Sequence, residues 1–174
     1  MKIIMLMGIP GSNNVELAKF IQLQKYPQAL IFNRDYIRTK SQYKDLPSNS
    51  IIIDFAFIQV IKNTLQKIPS NCIIIIAPFI SKESREYFFE AFKDNEFIGI
   101  WVERCRKELI QNNNLSIPFF QEKPEMIDYY LKYKMSPTAD EPFKDIVYIT
   151  REINTGMSKN YPFIADLETV LLRL

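Results

Sequence analysis

The sequence contains no histidine, and this absence excludes several kinds of chemistry. Ser-His and Cys-His nucleophilic catalysis and histidine-ligated metal sites all need an imidazole. Any general acid or base must therefore be an Asp, Glu, Lys or Tyr side chain. Cysteine is scarce too: Cys72 and Cys105 each lie beside a strand-like apolar run, and they form no CxxC pair. We expect two free, buried thiols in a reducing compartment.

Long apolar runs and a strong charge imbalance are also missing. No stretch approaches the ~20 apolar residues that a membrane-spanning helix needs, and the apolar N-terminal run is too short for a signal peptide. We expect a cytoplasmic protein with no membrane partner. Lys and Arg number 22 against 20 Asp and Glu, a net charge of +2. An acidic ligand must therefore be held by a local cluster and not by bulk charge.

The 174 residues are 47% hydrophobic, which is typical of a globular chain and fits one domain spanning 1–174. Strands are predicted over 3–7, 29–32, 72–76, 97–102 and 146–150. Helices are predicted over 15–23, 33–38, 51–67, 81–94, 106–113, 124–133 and 166–174, although 51–53 also fits a strand. This alternation predicts a three-layer α/β fold, with a mainly parallel five-stranded sheet, helices on both faces and a ligand at the carboxyl ends of the strands.

The turn after the first strand has the position of a Walker A loop, whose pattern is GxxxxGK[ST]. Gly8 and Gly11 remain, and Asn13 replaces the second pattern glycine while tolerating positive φ better than most residues. Asn14 and Val15 replace the lysine that reaches the terminal phosphates and the hydroxyl that holds magnesium. The candidate phosphate-binding residues are Gly8, Gly11, Ser12, Asn13 and Asn14. An ordinary strand-to-helix turn capped by Ser or Asn is the alternative.

The segment 31–38, Ile-Phe-Asn-Arg-Asp-Tyr-Ile-Arg, resembles the NxDxxR element of polynucleotide 5′-hydroxyl kinases and of zeta-toxin-like small P-loop kinases. The resemblance implies a P-loop NTPase fold of the kinase type. It also implies that Asp35 is the base that activates the acceptor hydroxyl, and that Arg38 holds the acceptor phosphate. A capped helix with an i,i+3 Asp–Arg pair would give the same pattern.

Further segments resemble the same kinases over about residues 1–150. Arg85 lies in the helix where those kinases carry an arginine, and the segment 133–143 is similar to their Pro-Thr…Glu-Gly-Phe stretch. Arg34 and Arg85 are therefore further candidates for acceptor binding. Tyr36 and Tyr43 are candidates for stacking on bases.

The departures from these kinases fall on the residues that handle ATP. Besides the loop changes, Ala77 and Pro78 occupy a strand end that often carries Asp, and Asn112, Asn113 and Ser116 stand where lid arginines are expected. Each lost charged group commonly costs about 2–4 kcal/mol of transition-state stabilisation. The sequence therefore predicts a pseudokinase without a resident cofactor or metal, which binds a nucleotide or a nucleic-acid 5′ end or acts as a scaffold.

Two other functions fit the sequence. An active 5′-hydroxyl or nucleotide kinase, using ATP and Mg²⁺, would need Lys2, Lys82 or another lysine to reach the phosphates. A purely structural interaction subunit would bind a protein partner or form a homo-oligomer. Its apolar patch would come from Pro118-Phe119-Phe120 and from the tyrosines at 129, 130 and 133.

Overall fold

A computed structural model describes residues 1–38, 40, 42–43, 46, 50–115, 121–149 and 170–174. The strands are β1 (Lys2–Met7), β2 (Leu30–Asn33), β3 (Cys72–Ala77), β4 (Glu96–Val102) and β5 (Phe143–Ile149). The helices are α1 (Asn14–Gln24), α2 (Asp35–Arg38), α3 (Ile51–Lys67), α4 (Lys82–Ala91), α5 (Arg106–Leu115) and α6 (Pro124–Tyr133).

The strands form one parallel sheet in the order β2-β3-β1-β4-β5, which confirms the predicted α/β architecture. The central strands β1 and β3 are almost wholly buried, because helices cover both faces of the sheet and every side chain meets protein. Met7 pairs with Ala77 on one side and with Trp101 on the other, so the carboxyl ends of three strands meet at one edge.

Two apolar clusters hold the helices against the sheet. On one face Phe57 of α3 and Phe88 of α4 pack edge to face with ring centroids 5.8 Å apart. On the other face Leu17 and Ile21 of α1 pack against the second side of the same strands. This arrangement fixes the start of α1 beside the carboxyl end of β1, where a ligand site is expected in such sheets.

The element bounds differ from the predicted ones by a few residues. Segment 51–53 is helical, so the strand alternative is wrong: Ile53 is fully buried while Ile52 is exposed, because only one side of a helix faces the core. Ser81 is the predicted N-cap, since its side chain accepts a hydrogen bond from the Ser84 amide at 3.1 Å. The fifth strand begins at Phe143, three residues before its predicted start.

Several other predictions concern cysteine, membranes and the C-terminus. Both cysteines are free as predicted, but only Cys72 is buried, whereas Cys105 is half-buried. Burial raises the pKa of Cys72 to about 11, so its thiol is inert. Among the helices of the described residues, none has the length and apolar character needed to cross a bilayer. The predicted helix 166–174 is seen only at its end, in residues 170–173; its remainder lies outside the described residues.

Candidate functional site

The loop between β1 and α1 turns through two residues with positive φ. Gly11 has φ of 92° and Asn13 has φ of 62°, so the prediction that Asn13 adopts the left-handed region is confirmed. The Ser12 hydroxyl is buried and donates to the Ile9 carbonyl at 2.6 Å, which folds the loop back on itself. Asn13 precedes α1 without a capping hydrogen bond from its side chain, which disfavours the ordinary capped turn.

Both loop glycines are required by close packing as well. A Cβ atom on Gly8 would lie 2.8 Å from the Val102 carbonyl oxygen, and one on Gly11 would lie 2.3 Å from the Leu109 carbonyl oxygen. Helix α5 therefore lies directly on the loop. The Asn112 side-chain amide also donates to the Gly11 carbonyl at 2.9 Å. The loop is thus held rigidly between β4 and α5.

A cavity of about 380 Å³ opens at the carboxyl edge of the sheet, beside this loop. The described residues that line it are 8–16, 19, 33, 35–36, 76–78 and 112–113. It brings together the phosphate-loop candidates and Asp35, which the sequence placed on two different strand ends. Arg34, Arg38 and Arg85 are not among its described lining residues.

Arg85 lies in the protein core and is bonded on every side. Its side chain is 1% exposed, and it forms a bidentate pair with Glu141 at 2.6 and 2.8 Å. Its remaining nitrogen donates to the carbonyls of Phe79 at 2.8 Å and Met135 at 2.9 Å. The guanidinium thus joins α4 to the segments before and after it with four of its five N–H donors, so its acceptor-binding role stays a prediction in which a phosphate would have to compete with these bonds.

Arg34 and Arg38 are also engaged by carboxylates of the chain itself. Buried Arg34 forms an ion pair with Asp54 and donates to the Ser50 carbonyl at 3.0 Å. Arg38 donates to a carboxylate oxygen of Glu122 at 2.5 Å. Their acceptor-binding roles stay predictions, and a phosphate would have to compete with these pairs.

Asp35 is one of two acidic residues, with Glu16, among the described residues that line the cavity. Its side chain is 32% exposed and lies 3.9 Å from Arg38. Burial raises the pKa of this carboxyl above its ordinary value, although Arg38 and Arg34 oppose the shift. The backbone amide of Asp35 donates to the Asn33 side chain at 2.9 Å, which fixes the start of α2. A carboxyl poised in this way can exchange a proton with a bound hydroxyl.

The lid asparagines have structural partners. Asn113 is buried and bonds the Glu122 backbone twice, donating to its carbonyl and accepting from its amide, both at 2.9 Å. With Asn112 bonded to the loop, these two side chains hold α5 in place and supply no positive charge. Ser116 lies outside the described residues.

The two lysines suggested as replacements for the missing one lie elsewhere. Lys2 donates to the Tyr26 hydroxyl at 2.7 Å, at the opposite end of β1, and Lys82 pairs with Asp140 at 2.6 Å. Neither is among the described residues that line the cavity, and their role stays a prediction. The basic residue that does line the cavity is Lys19 on α1. Sequence reasoning missed it, although its four-residue spacing from Val15 places both on one helix face.

Asn14 and Val15 show how far the site departs from a magnesium–nucleotide site. Asn14 is only 8% exposed, and its side-chain oxygen has no hydrogen-bond partner within the described part of the chain. Val15 lines the cavity with an isopropyl group, which cannot coordinate a metal. Among the described residues, no group of three or more His, Cys, Asp and Glu side chains is placed to bind a metal ion. Asn14 and Val15 therefore supply neither the ammonium nor the metal-binding hydroxyl of the motif.

Solved structures of two kinases and of Kti12 share this architecture. A gluconokinase from Sinorhizobium meliloti 1021 matches with a TM-score of 0.63 at 11% identity, covering 99% of this chain and 92% of that one. A sugar kinase from Janibacter sp. HTCC2649 matches with a TM-score of 0.63 at 10% identity, covering 99% and 91%. Kti12 from Chaetomium thermophilum, in complex with ADP-AlF3, matches with a TM-score of 0.61 at 9% identity, covering 98% and 96%.

These similarities show that the chain has a P-loop kinase-like fold, and at such identities they show the fold alone. No sequence model of a protein family matches the chain, and no curated protein matches it in sequence.

Proposed function

We propose that this protein is a pseudokinase: a P-loop kinase fold that binds a nucleotide or a nucleic-acid 5′ end beside the phosphate loop without transferring a phosphoryl group. One observation carries the proposal. The loop and its cavity are intact, whereas the charged groups that phosphoryl transfer requires are either replaced or bonded to carboxylates of the chain.

Binding is supported by the geometry of the loop. Left-handed Asn13 leads directly into α1, whose first amides open towards the cavity with the positive end of the helix dipole. Buried Asn14 adds an oxygen that has no hydrogen-bond partner among the residues that the structure describes, and buried polar atoms are rarely left unsatisfied. A ligand with a phosphate and a hydroxyl or amino donor would satisfy both groups.

Impaired transfer is supported by the charges. The phosphoryl group in transfer develops negative charge that a lysine, a metal ion and arginines normally stabilise. Here Asn14 and Val15 occupy the first two positions, and Asn112 and Asn113 bond to the protein itself. Little of that stabilisation remains, while Asp35 alone keeps the acceptor chemistry.

The test is a pair of assays on the purified full chain. Calorimetric titration with ATP and ADP, with and without Mg²⁺, should show binding that does not depend on the metal. A 5′-hydroxyl oligonucleotide should gain no phosphate from labelled ATP. Turnover that disappears in Asp35→Asn would instead identify an active 5′-hydroxyl or nucleotide kinase and overturn the pseudokinase proposal.

A gain-of-function variant sharpens the binding assay. The double substitution Asn14→Lys and Val15→Thr restores the motif residues at a loop whose backbone is already in place. We expect it to raise the affinity for ATP and to make that affinity magnesium-dependent. If the double variant binds ATP no better than the wild type, the loop is not a phosphate site.

A second candidate function, a protein-interaction module, is favoured by two tyrosines on α6. The rings of Tyr129 and Tyr133 are exposed and lie 4.7 Å apart, whereas Tyr130 is buried in the core. Pro118-Phe119-Phe120, the other part of the predicted patch, lies outside the described residues. Light scattering of the wild type and of Tyr129→Ser/Tyr133→Ser tests this function: loss of an oligomer in the variant supports it, and a monomeric wild type counts against self-association.

A further inference from the structure

We infer that Lys19 is the phosphate-binding cation of this cavity, and that the ligand is a nucleoside 5′-monophosphate, either free or at the end of a nucleic acid. The inference rests on the proposed binding function and names its ligand. In the Walker A motif the phosphate-binding lysine would stand at position 14. Here that task falls to Lys19, five residues later.

The helical position of Lys19 lets its side chain reach the cavity. Lys19 follows Val15 by four residues and Glu16 by three, so it lies on the same face of α1 one turn further along. Helical side chains lean towards the N-terminus, and a lysine stem is long enough to carry its ammonium back over the first turn. This direction leads to the loop, and Lys19 does line the cavity there.

Lys19 is available to a ligand. Its side chain is exposed, and it makes no hydrogen bond or ion pair with the residues that the structure describes. Arg34, Arg38 and Arg85 are all bonded to carboxylates. Among the described residues that line the cavity, Lys19 is the only basic one.

The charges of the cavity favour one phosphate over three. Its described lining carries one cation, Lys19, and two carboxyl groups, Glu16 and Asp35. The helix N-terminus adds roughly half a positive charge. With both carboxyl groups ionised this set carries roughly half a negative charge, so it can attract a phosphate monoester only locally, between Lys19 and the start of α1. It would repel the additional charges of a triphosphate, and Val15 provides no hydroxyl to anchor a neutralising Mg²⁺.

Two further side chains indicate a nucleoside. Tyr36 lines the same cavity with 57% of its surface exposed, and an exposed aromatic ring at a phosphate site offers a platform for a base. The oxygen of buried Asn14 requires a donor, which a monohydrogen phosphate or a ribose hydroxyl supplies. A simple inorganic anion has no base to stack on Tyr36, and when fully ionised it has no hydrogen to donate to the Asn14 oxygen.

The experiment compares affinities by calorimetry at low salt. The probes are AMP, adenosine, ATP with Mg²⁺, and hexathymidylate with either a 5′-phosphate or a 5′-hydroxyl. We expect AMP to bind at least tenfold more tightly than adenosine and no more weakly than ATP with Mg²⁺. Comparison of AMP with the phosphorylated hexanucleotide distinguishes a free nucleotide from a nucleic-acid end as the ligand source.

Variants then test the residue. Lys19→Gln should weaken the binding of AMP about tenfold, the factor that corresponds to about 1.4 kcal/mol for one charge-assisted hydrogen bond. Added salt should reduce the difference in affinity between the wild type and this variant. Glu16→Gln should strengthen AMP about two- to threefold by removing a nearby negative charge. Lys67→Gln, at the exposed end of α3 away from the cavity, is the matched control and should change nothing.

The outcomes separate this inference from the proposed function. If AMP, ADP and ATP all fail to bind, the proposed binding function and this inference both fail. If ATP with Mg²⁺ binds more tightly than AMP, or if Lys19→Gln binds AMP as well as Lys67→Gln does, the cavity is a nucleotide site but the inference about Lys19 and the monophosphate is overturned.

Discussion

Replacing Arg85 by methionine should destabilise the protein strongly without affecting ligand binding. Arg85 and its partner Glu141 are both buried, and the substitution keeps most of the side-chain volume while it removes the charge. Four hydrogen bonds disappear: two to Glu141 and one each to the carbonyls of Phe79 and Met135. Within the described part of the chain, the Glu141 carboxylate is then left with the amide and hydroxyl of Thr138 as its only donors.

The magnitude follows from the unpaired charge. Breaking a buried ion pair by removing one partner costs about 3–5 kcal/mol, because the remaining charge stays desolvated. Since domains are stable by only about 5–15 kcal/mol, this is a large fraction of the total. For a chain of this length each kcal/mol shifts the melting temperature by roughly 2–4 °C, so we expect a decrease on the order of 10 °C.

The assay is urea and thermal unfolding followed by circular dichroism, with Lys82→Met as the control. Lys82 lies three residues earlier on the same helix and forms an exposed pair with Asp140, so its loss should leave the midpoint nearly unchanged. Glu141→Gln keeps an uncharged acceptor for Arg85, so its unfolding midpoint should lie between those of the wild type and Arg85→Met. That variant keeps the test informative if Arg85→Met does not fold.

The effect should also depend on pH. Burial alone would raise the pKa of Glu141, but hydrogen bonds from Arg85 and from the Thr138 amide outweigh it and hold that pKa below the ordinary value of 4.5. A lowered carboxyl pKa contributes stability above the unfolded-state value, and this contribution is lost as pH falls through the folded-state value. The difference in the free energy of unfolding between the wild type and Arg85→Met should therefore become smaller below about pH 4.5.

A different result would refute this reasoning. If Arg85→Met unfolds no earlier than Lys82→Met, and instead binds a 5′-phosphorylated oligonucleotide more weakly than the wild type does, Arg85 contacts the ligand and its predicted acceptor role is supported.

Three further substitutions test other parts of the structure by denaturant unfolding. Gly11→Ala should lower the free energy of unfolding by about 1–3 kcal/mol, because the added Cβ atom would clash with α5 and the φ of 92° disfavours a side chain. An unchanged unfolding midpoint would contradict the close packing of α5 on the loop. Ser81→Ala should cost about 1 kcal/mol through the lost N-cap, and Ser81→Asp should restore it. Asp35→Asn should stabilise the protein at pH 7, because burial raises the pKa of Asp35 and so disfavours its ionised form in the folded state. This increase in the free energy of unfolding should vanish below about pH 3.8, where the carboxyl is protonated in both states. Destabilisation at pH 7 would contradict the prediction.

The sheet and its helices were predictable because local patterns encode them. The run 72–76 is wholly apolar, and it forms a strand buried on both faces. The segment 124–133 begins with proline and becomes α6 with the predicted bounds. The 51–53 segment was ambiguous because three isoleucines fit either pattern, and the burial of only one side settled it as helix.

The phosphate loop was predictable for a similar reason. Gly8, Gly11 and Asn13 are residues that suit close approach or positive φ, and they lie within six consecutive positions. The position of Asp35 near this loop follows from parallel topology, which brings the ends of neighbouring strands to one edge. The cavity that joins them confirms that placement.

The partners of the charged side chains were not predictable, because each lies far away along the chain. Arg34 bonds a carboxylate 20 residues away, Arg85 one 56 residues away and Arg38 one 84 residues away. No local spacing reports such pairs. The local sequence around an arginine that matches a motif is the same whether its side chain contacts a ligand or a carboxylate of its own chain.

The sequence by itself determined the order of strands and helices along the chain, the glycine-containing turn after the first strand, and the presence of Asn14 and Val15 in that turn, since all of these depend on neighbouring residues. Only the tertiary structure decided which cations remain available. Folding joined the three candidate arginines to distant carboxylates and left Lys19 at the cavity, because an ion pair depends on where two segments meet in space.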